Sequence, residues 1–178
     1  GRPFVLLGHS LGGSVVLHAE AHLRQQKQPG LLGVVLLAAG GGIYQPRPFR
    51  RLRAFGKLIL ELRPDVLAQL PAPIGTLGPF KAERRAARGL LVNSTSRGAV
   101  RELPGLVSDL AVDSLWISGD NDQVMEPGYV RHLAAYSPGH DYRQIAGCGH
   151  LPMQEKPKIL SDILSSWIEA QSLARPRS

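Results

Sequence analysis

A serine between two glycines follows a short apolar run near the start of the chain. Residues 4–7 read Phe-Val-Leu-Leu, and residues 8–12 read Gly-His-Ser-Leu-Gly. An apolar run, G-x-S-x-G and a helical pattern in succession predict a strand that turns sharply into a helix, with Ser10 raised on the turn. Both glycines are expected to be required, because the chain folds back on itself there. The serine hydroxyl is a candidate nucleophile, and the Leu11 N–H at the helix N-terminus is a candidate oxyanion donor.

A carboxylate and a histidine follow two later apolar runs. Residues 115–127 read Leu-Trp-Ile-Ser-Gly-Asp-Asn-Asp-Gln-Val-Met-Glu-Pro, and residues 145–152 read Ile-Ala-Gly-Cys-Gly-His-Leu-Pro. Each segment is typical of a strand that ends in a loop, which is where α/β sheets carry their reactive groups. Serine, aspartate and histidine therefore follow one another in that order along the chain.

These segments resemble the motifs of the α/β-hydrolase superfamily, in which the nucleophile, acid and histidine occur in this order. The matching segments are GHSLGG at 8–13, SGDNDQVMEP at 118–127 and GCGHLPMQEKP at 147–157. The resemblance extends over nearly the whole chain. It implies that Ser10 is the nucleophile, that His150 is the general base, and that Asp122 orients the imidazole.

Asp120 is the alternative acid. The acid of the family usually falls three residues after the strand-ending glycine, here Gly119, which favours Asp122. Asp120 is then expected to be a turn residue that accepts hydrogen bonds from nearby backbone N–H groups.

Hydrophobic periodicity predicts an α/β protein. Strands are expected at 4–7, 33–38, 111–118 and 141–146, and helices at 11–25, 128–136 and 158–171. The apolar residues expected to pack inward are Val15, Val16, Ala19 and Leu23 on the first helix, and Leu160, Ile163, Leu164, Trp167 and Ile168 on the last. With the resemblance, this pattern implies a partial α/β-hydrolase fold, in which the last four strands form a mostly parallel sheet. Residues 1–43 and 111–178 are assigned to the core.

Residues 44–110 interrupt the alternation of strands and helices with arginine-rich, proline-punctuated helical patterns, and the resemblance implies that they form a helical cap. The candidate apolar underside comprises Leu58, Ile59, Leu62, Val66, Leu67 and Leu70, and packing within the cap itself is the alternative role. A basic run comprises Arg47, Arg50, Arg51 and Arg53. It is expected to be a solvated face, with binding of an acidic substrate or a membrane surface as the alternative.

A complete fold of this type has eight strands, and its nucleophile turn follows the fifth. Here that turn comes at residue 8, so we expect a chain truncated at its N-terminus by about 100 residues. In the family, the absent portion carries the second oxyanion donor. The Phe4–Leu7 strand is then expected to lie at a sheet edge and to invite aggregation, so the chain alone is expected to have little activity.

Composition is that of an ordinary globular domain. The chain has 178 residues, 43% of them hydrophobic, with one cysteine and a formal net charge of +7. No disulfide can form within the chain, and a cytoplasmic location is expected. No nucleic-acid motif and no apolar stretch long enough for membrane insertion occur in the sequence. His18 and His22 have a spacing that can hold a metal, but no third ligand is evident, so no metal and no cofactor are predicted.

The predicted activity is hydrolysis of an ester or a related acyl bond through an acyl-enzyme, with a small-molecule acyl substrate. The serine disfavours dehalogenases and epoxide hydrolases of this fold, which carry a carboxylate at that position. Cys148 is a rival nucleophile, although it lies on neither a sharp turn nor a helix start. The alternatives are an acyltransferase and a non-catalytic, hydrolase-like ligand-binding protein. The oligomeric state is not predicted.

Overall fold

A computed structural model of the protein describes residues 2–40, 54 and 96–174. Four parallel strands form one sheet in the order β1-β2-β3-β4. The strands are β1 (Phe4–His9), β2 (Leu31–Leu37), β3 (Asp113–Gly119) and β4 (His140–Ile145). The helices are α1 (Gly12–Gln25), α2 (Arg97–Ser108), α3 (Pro127–Ala134), α4 (Pro152–Glu155) and α5 (Pro157–Leu173). The predicted α/β class and the parallel sheet are confirmed.

Helices cover both faces of the sheet. Leu36 and Trp116 are neighbours in register on one face, where α1 and α3 pack. On the opposite face, Leu160 and Trp167 of α5 pack against a cluster that comprises Val35, Leu37, Leu115, Ile117, Ile145 and Cys148. Because both faces are covered, the central strands are apolar at successive positions, as parallel strands usually are. The covered sheet is the rigid part on which the strand ends are held.

Two helix faces differ from the predicted ones. Val15, expected to face inward, is 50% exposed, whereas Glu20 is buried on the same helix. The buried stripe of α1 runs through Gly13, Val16, Leu17 and Glu20, one residue out of phase with the expected one. Ile168 of α5 was also expected inward and is 37% exposed. Hydrophobic periodicity shows that a helix has an apolar side. Because that apolar stripe is about 100° wide and one residue turns the helix by the same angle, the pattern fixes the centre of the buried face only to within one residue.

The chain divides into two compact units. One comprises Gly1–Tyr44 and Arg101–Ser178 and contains the sheet, and the other comprises Gln45–Val100. Residues 101–110, which the sequence interpretation grouped with the cap, thus belong to the unit that contains the sheet, where Leu103, Val107 and Leu110 are buried. The apolar and basic sets predicted within residues 47–70 lie outside the described residues. The assignment of a cap stays a prediction.

No helix in the described ranges has both the length and the apolar character needed to cross a membrane.

Candidate active site

Ser10 occupies a strained turn between β1 and α1. Its φ of 55° lies in the left-handed region, which residues with a side chain rarely adopt. A Cβ on Gly8 would overlap the Gly12 carbonyl, so the turn requires a glycine at position 8. Among the described residues, a Cβ on Gly12 would meet no atom within 4 Å outside the backbone of its own helix, so these contacts require a small residue at position 8 and not at position 12. The turn depends on the close approach of Gly8 to the backbone at the start of α1.

Ser10, His150 and Asp122 meet at the carboxyl ends of the strands. Ser10 directly follows β1, while Asp122 and His150 lie in the loops after β3 and β4. His150 Nε2 is 2.9 Å from Ser10 Oγ, and His150 Nδ1 is 2.9 Å from Asp122 Oδ2. If Nδ1 carries the ring proton and donates a hydrogen bond to the carboxylate, Nε2 has a free lone pair that can accept the serine proton. The three groups thus form a continuous hydrogen-bonded series.

The Asp122 carboxylate is buried and fully partnered. Its side chain is 0% exposed, and its second oxygen, Oδ1, accepts the N–H groups of Val124 at 2.8 Å and Met125 at 2.9 Å. Burial opposes ionisation, yet the hydrogen bonds from His150 and from these two amides hold the pKa of Asp122 below its usual value. The carboxylate is therefore ionised near neutral pH, as stabilisation of an imidazolium requires.

Asp120 lies apart from the histidine ring. It is exposed, and its Oδ1 accepts the Cys148 N–H at 3.1 Å. Hydrogen bonds from the Gly147 and Cys148 N–H groups hold the pKa of Asp120 below its usual value. Within the described residues it makes no hydrogen bond to His150. A Cβ on Gly119 would overlap the carbonyls of Cys148 and Gly149, so glycine there lets the two loops lie against each other.

His9, next to the serine, contacts the histidine loop. Its Nε2 lies 2.8 Å from the carbonyl oxygen of His150, to which it donates a hydrogen bond. The two imidazole rings are tilted by 46°, with centroids 5.0 Å apart. Burial lowers the pKa of His9, so the imidazole that donates this hydrogen bond is neutral at pH 7.

Glu155 contacts the loop that carries His150, and the sequence did not predict this contact. Its Oε2 accepts the Gly149 N–H at 2.6 Å, and its Oε1 accepts the Leu151 N–H at 2.9 Å. These hydrogen bonds hold the pKa of Glu155 below its usual value. Glu155 is the last residue of α4 and bonds back to the N–H of Leu151, the residue before that helix. This resembles a capping box, in which a glutamate in the first turn accepts the N–H at the helix start, so a glutamate a few residues after the Gly-His pair is the sequence signal that could have identified it.

Other candidate groups are not brought to this site. Burial raises the pKa of the Cys148 thiol, and its side chain is fully buried, which disfavours a thiolate nucleophile. His18 and His22 line a groove of about 560 Å³ with Arg101 and Glu102. In residues 2–40, 54 and 96–174, no three metal-binding side chains form a group that could hold an ion.

Comparisons with known proteins identify relatives along nearly the whole chain. A pimeloyl-[acyl-carrier protein] methyl ester esterase from Xanthomonas axonopodis pv. citri is 31% identical over 186 residues, which are 93% of this chain and 71% of that protein. An epoxide hydrolase from Mycobacterium tuberculosis is 27% identical over 194 residues, which are 92% of this chain and 85% of that protein.

A solved structure has the same fold. The 2-hydroxy-6-oxo-6-phenylhexa-2,4-dienoate hydrolase from Rhodococcus sp. strain RHA1 superposes with a TM-score of 0.67 at 17% identity, over 94% of this chain and 64% of that one. The chain thus spans less than two thirds of that hydrolase's length. The model of the alpha/beta hydrolase family matches residues 1–163. From the match to this model, the fold and the order of the three motifs, the chain belongs to the α/β hydrolase family.

Proposed function

We propose that this chain forms the catalytic part of a serine hydrolase that cleaves a carboxylic ester through an acyl-enzyme. The observation that carries the proposal is the hydrogen-bonded series from Ser10 Oγ through the His150 ring to the buried Asp122 carboxylate, with 2.9 Å at each step. A nucleophile, a base and an orienting acid within hydrogen-bond distance are the arrangement that activates a serine hydroxyl.

The first half of the proposed reaction forms the acyl-enzyme. His150 Nε2 takes the Ser10 proton while Oγ attacks the ester carbonyl carbon, and the carbonyl oxygen becomes an oxyanion. The Leu11 N–H is at the N-terminus of α1, where the first N–H groups have no partner within the helix, so it can donate to that oxyanion. The imidazolium then gives its proton to the departing alkoxide, and Asp122 stabilises the positive charge in between.

The second half returns the enzyme to its starting state. Water enters after the alcohol leaves, and His150 Nε2 removes a proton from it as its oxygen attacks the acyl carbon. The carboxylic acid product forms, and Ser10 Oγ recovers its proton from the imidazolium. An acyltransferase would use another alcohol or thiol in place of this water, so the identity of the acceptor distinguishes the two activities.

Two relatives bear on the substrate class. The Xanthomonas relative is named for a methyl ester, which makes methyl esters of acyl chains the first substrates to test. The mycobacterial relative is named as an epoxide hydrolase, but the family's epoxide hydrolases carry a carboxylate where this chain has Ser10. A serine alkoxide is suited to attack a carbonyl, so we propose ester cleavage in preference to epoxide opening.

Labelling by a fluorophosphonate probe and turnover of a methyl ester by the intact protein test the proposal. We expect Ser10→Ala to abolish labelling and to lower kcat by about 10⁶-fold. Ser14→Ala is the matched control, because Ser14 lies one turn further along α1 and its hydroxyl donates a hydrogen bond to the Leu11 carbonyl at 3.0 Å. Normal turnover by Ser10→Ala, or labelling of the unmutated protein at another residue, would refute the proposed nucleophile. Binding without turnover would favour the ligand-binding alternative.

A further inference from the structure

One carboxylate holds the main chain on both sides of His150. The two oxygens of Glu155 accept the N–H groups of Gly149 and Leu151, at 2.6 and 2.9 Å. The Leu151 N–H belongs to the peptide that directly follows the His150 Cα, and the Gly149 N–H belongs to the peptide one residue before His150. The carboxylate therefore holds the main chain at two points, one on each side of His150. Glu155 is exposed, and the hydrogen bonds that its carboxylate accepts within the described residues come from the loop backbone. Its carboxylate is therefore placed to determine where the His150 backbone lies.

A second side chain joins His150 to the nucleophile turn. His9 Nε2–H donates to the His150 carbonyl at 2.8 Å. Because His9 is bonded to Ser10 in the chain, a single hydrogen bond connects the main chain of the base to the residue next to the nucleophile. The positions of Ser10 and His150, 140 residues apart in sequence, are thus linked by a path that does not include the reacting atoms.

We propose that Glu155 and His9 are positioning residues, which hold the His150 main chain so that its ring reaches Ser10 and Asp122 at the same time. This inference rests on the proposed function. Asp122 selects the tautomer and the rotation of the ring, but it cannot by itself fix the position of the His150 Cα. A displacement of about 1 Å at a reacting group can cost about 100-fold in rate. The two backbone hydrogen bonds that Glu155 accepts and the one that His9 donates restrict that displacement.

The neutral state of His9 suits this role. Its ring centroid is 5.0 Å from that of His150, where a second positive charge would oppose formation of the imidazolium. Burial lowers the pKa of His9 and keeps it uncharged at neutral pH. It therefore supplies a hydrogen-bond donor without adding a cation next to the base.

Variants of Glu155 in the intact protein test the first contact. We expect Glu155→Ala to lower kcat for a methyl ester by about 10- to 100-fold with little change in KM. We also expect it to slow fluorophosphonate labelling of Ser10 and to shift the proton resonance of the His150 Nδ1–H. Glu155→Gln keeps the length of the side chain but turns an NH2 group toward one of the two amides, so an intermediate loss is expected. Glu169→Gln removes an exposed glutamate from α5 and is the matched control.

Variants of His9 test the second contact through rescue. His9→Ala removes the donor, whereas the amide of His9→Gln places an N–H near the position of Nε2. We expect His9→Ala to lower kcat, and His9→Gln to recover most of the loss. His22→Ala removes an exposed histidine from α1 and should leave kcat unchanged.

The outcomes separate this inference from the proposed function. If Ser10→Ala abolishes labelling but Glu155→Gln and His9→Ala retain the kcat and the His150 resonance of the unmutated protein, the positioning role is refuted and the serine hydrolase is not. If Ser10→Ala keeps the turnover of the unmutated protein, the proposed serine hydrolase is refuted, and the positioning role is refuted with it. A loss in Glu155→Ala that appears only as a lower unfolding midpoint, with kcat unchanged below that midpoint, also refutes the positioning role.

Discussion

The two aspartates after β3 differ in burial and in what they contact, although only Asn121 separates them. Asp122 is 3% exposed and its carboxylate bonds to the His150 ring, whereas Asp120 is exposed and bonds to the Cys148 N–H. An isosteric amide at either position tests a different property. At position 122 it removes the charge that stabilises an imidazolium, and at position 120 it weakens the loop hydrogen bonds from the Gly147 and Cys148 N–H groups.

We therefore expect Asp122→Asn to lower kcat by about 10⁴-fold, because the amide favours the wrong tautomer of His150 and cannot stabilise its charged form. Asp120→Asn should cause a far smaller loss. Steady-state kinetics with one ester substrate measures both variants under identical conditions. Equal losses in the two would contradict the proposed division of roles.

The backbone of Ser10 carries a conformational cost that can be measured directly. An L-residue in the left-handed region costs roughly 1–2 kcal/mol, which glycine avoids. Ser10→Gly should therefore have a free energy of unfolding about 1 kcal/mol higher than Ser10→Ala, since both lack the hydroxyl and only the alanine keeps a Cβ. Urea denaturation measures this difference.

Ser14 supplies the control for that comparison, because it lies in the regular part of α1. There the order should reverse, with the glycine variant less stable than the alanine variant by about 1 kcal/mol. The same order at both positions would show that the Ser10 turn is not strained.

The loop between β4 and α4 is held mainly by carboxylates from outside its own turn. Asp120 accepts the Cys148 N–H, and Glu155 accepts those of Gly149 and Leu151. Backbone N–H groups bond more strongly to an ionised carboxylate than to a neutral one. These hydrogen bonds therefore hold the pKa values of Asp120 and Glu155 below the ordinary values of 3.8 for aspartate and 4.5 for glutamate. The order of this element consequently depends on pH.

Lowered pKa values in the folded state mean that the contribution of both carboxylates is complete above about pH 4.5 and is lost as pH falls through their folded-state values. We expect the amides of Cys148, Gly149 and Leu151 to lose hydrogen-exchange protection in that acidic range. Protection factors, measured by NMR and corrected for the intrinsic rate at each pH, report the change. The Leu115 amide, within a central strand, should keep its protection over the same range.

The elements that depend on a local sequence pattern could be predicted from the sequence. The contacts between segments that are distant in sequence could not. The apolar runs of β2 and β3 and the Ser10 turn follow from residues that are neighbours in sequence. The chain order of the three motifs, with the family resemblance, predicted that Ser10, Asp122 and His150 would come together. The inward position of Glu20 and the outward position of Val15 depend on how α1 is rotated against the sheet. The His9 contact depends on how closely two loops meet, which no local pattern records.

The sheet of the described residues has two different edges. β4 presents His140, Arg143 and Gln144 as exposed residues, and charged or polar side chains of this kind discourage pairing with another sheet. β1, at the other edge, carries Leu7, which is 49% exposed, and Val15 of α1, the helix that follows β1, is 50% exposed. Among the described residues, the β1 edge has no neighbouring strand on its outer side, and Leu7 adds an exposed apolar side chain to it.

We expect the 178-residue chain, produced alone, to self-associate through β1. Leu7→Lys should reduce the associated fraction, because a charge at an edge strand opposes pairing. Sedimentation velocity over a range of protein concentrations measures the effect. Leu173→Lys is the control, since Leu173 is 82% exposed but lies at the end of α5. A monomer at all concentrations, with or without the lysine, would contradict the expectation.

The separation of Ser10 and His150 along the chain also imposes an order in time. The two are 140 residues apart, and a ribosome adds roughly 5–20 residues per second, so the nucleophile is synthesised about 7 to 28 seconds before its base. Throughout that interval β1 and the turn after it exist without the loop that His9 and Ser10 contact. A nascent chain cannot acquire hydrolytic activity early. The contacts of His150 with His9 and Ser10 can form only after β4 and the loop after it have been made.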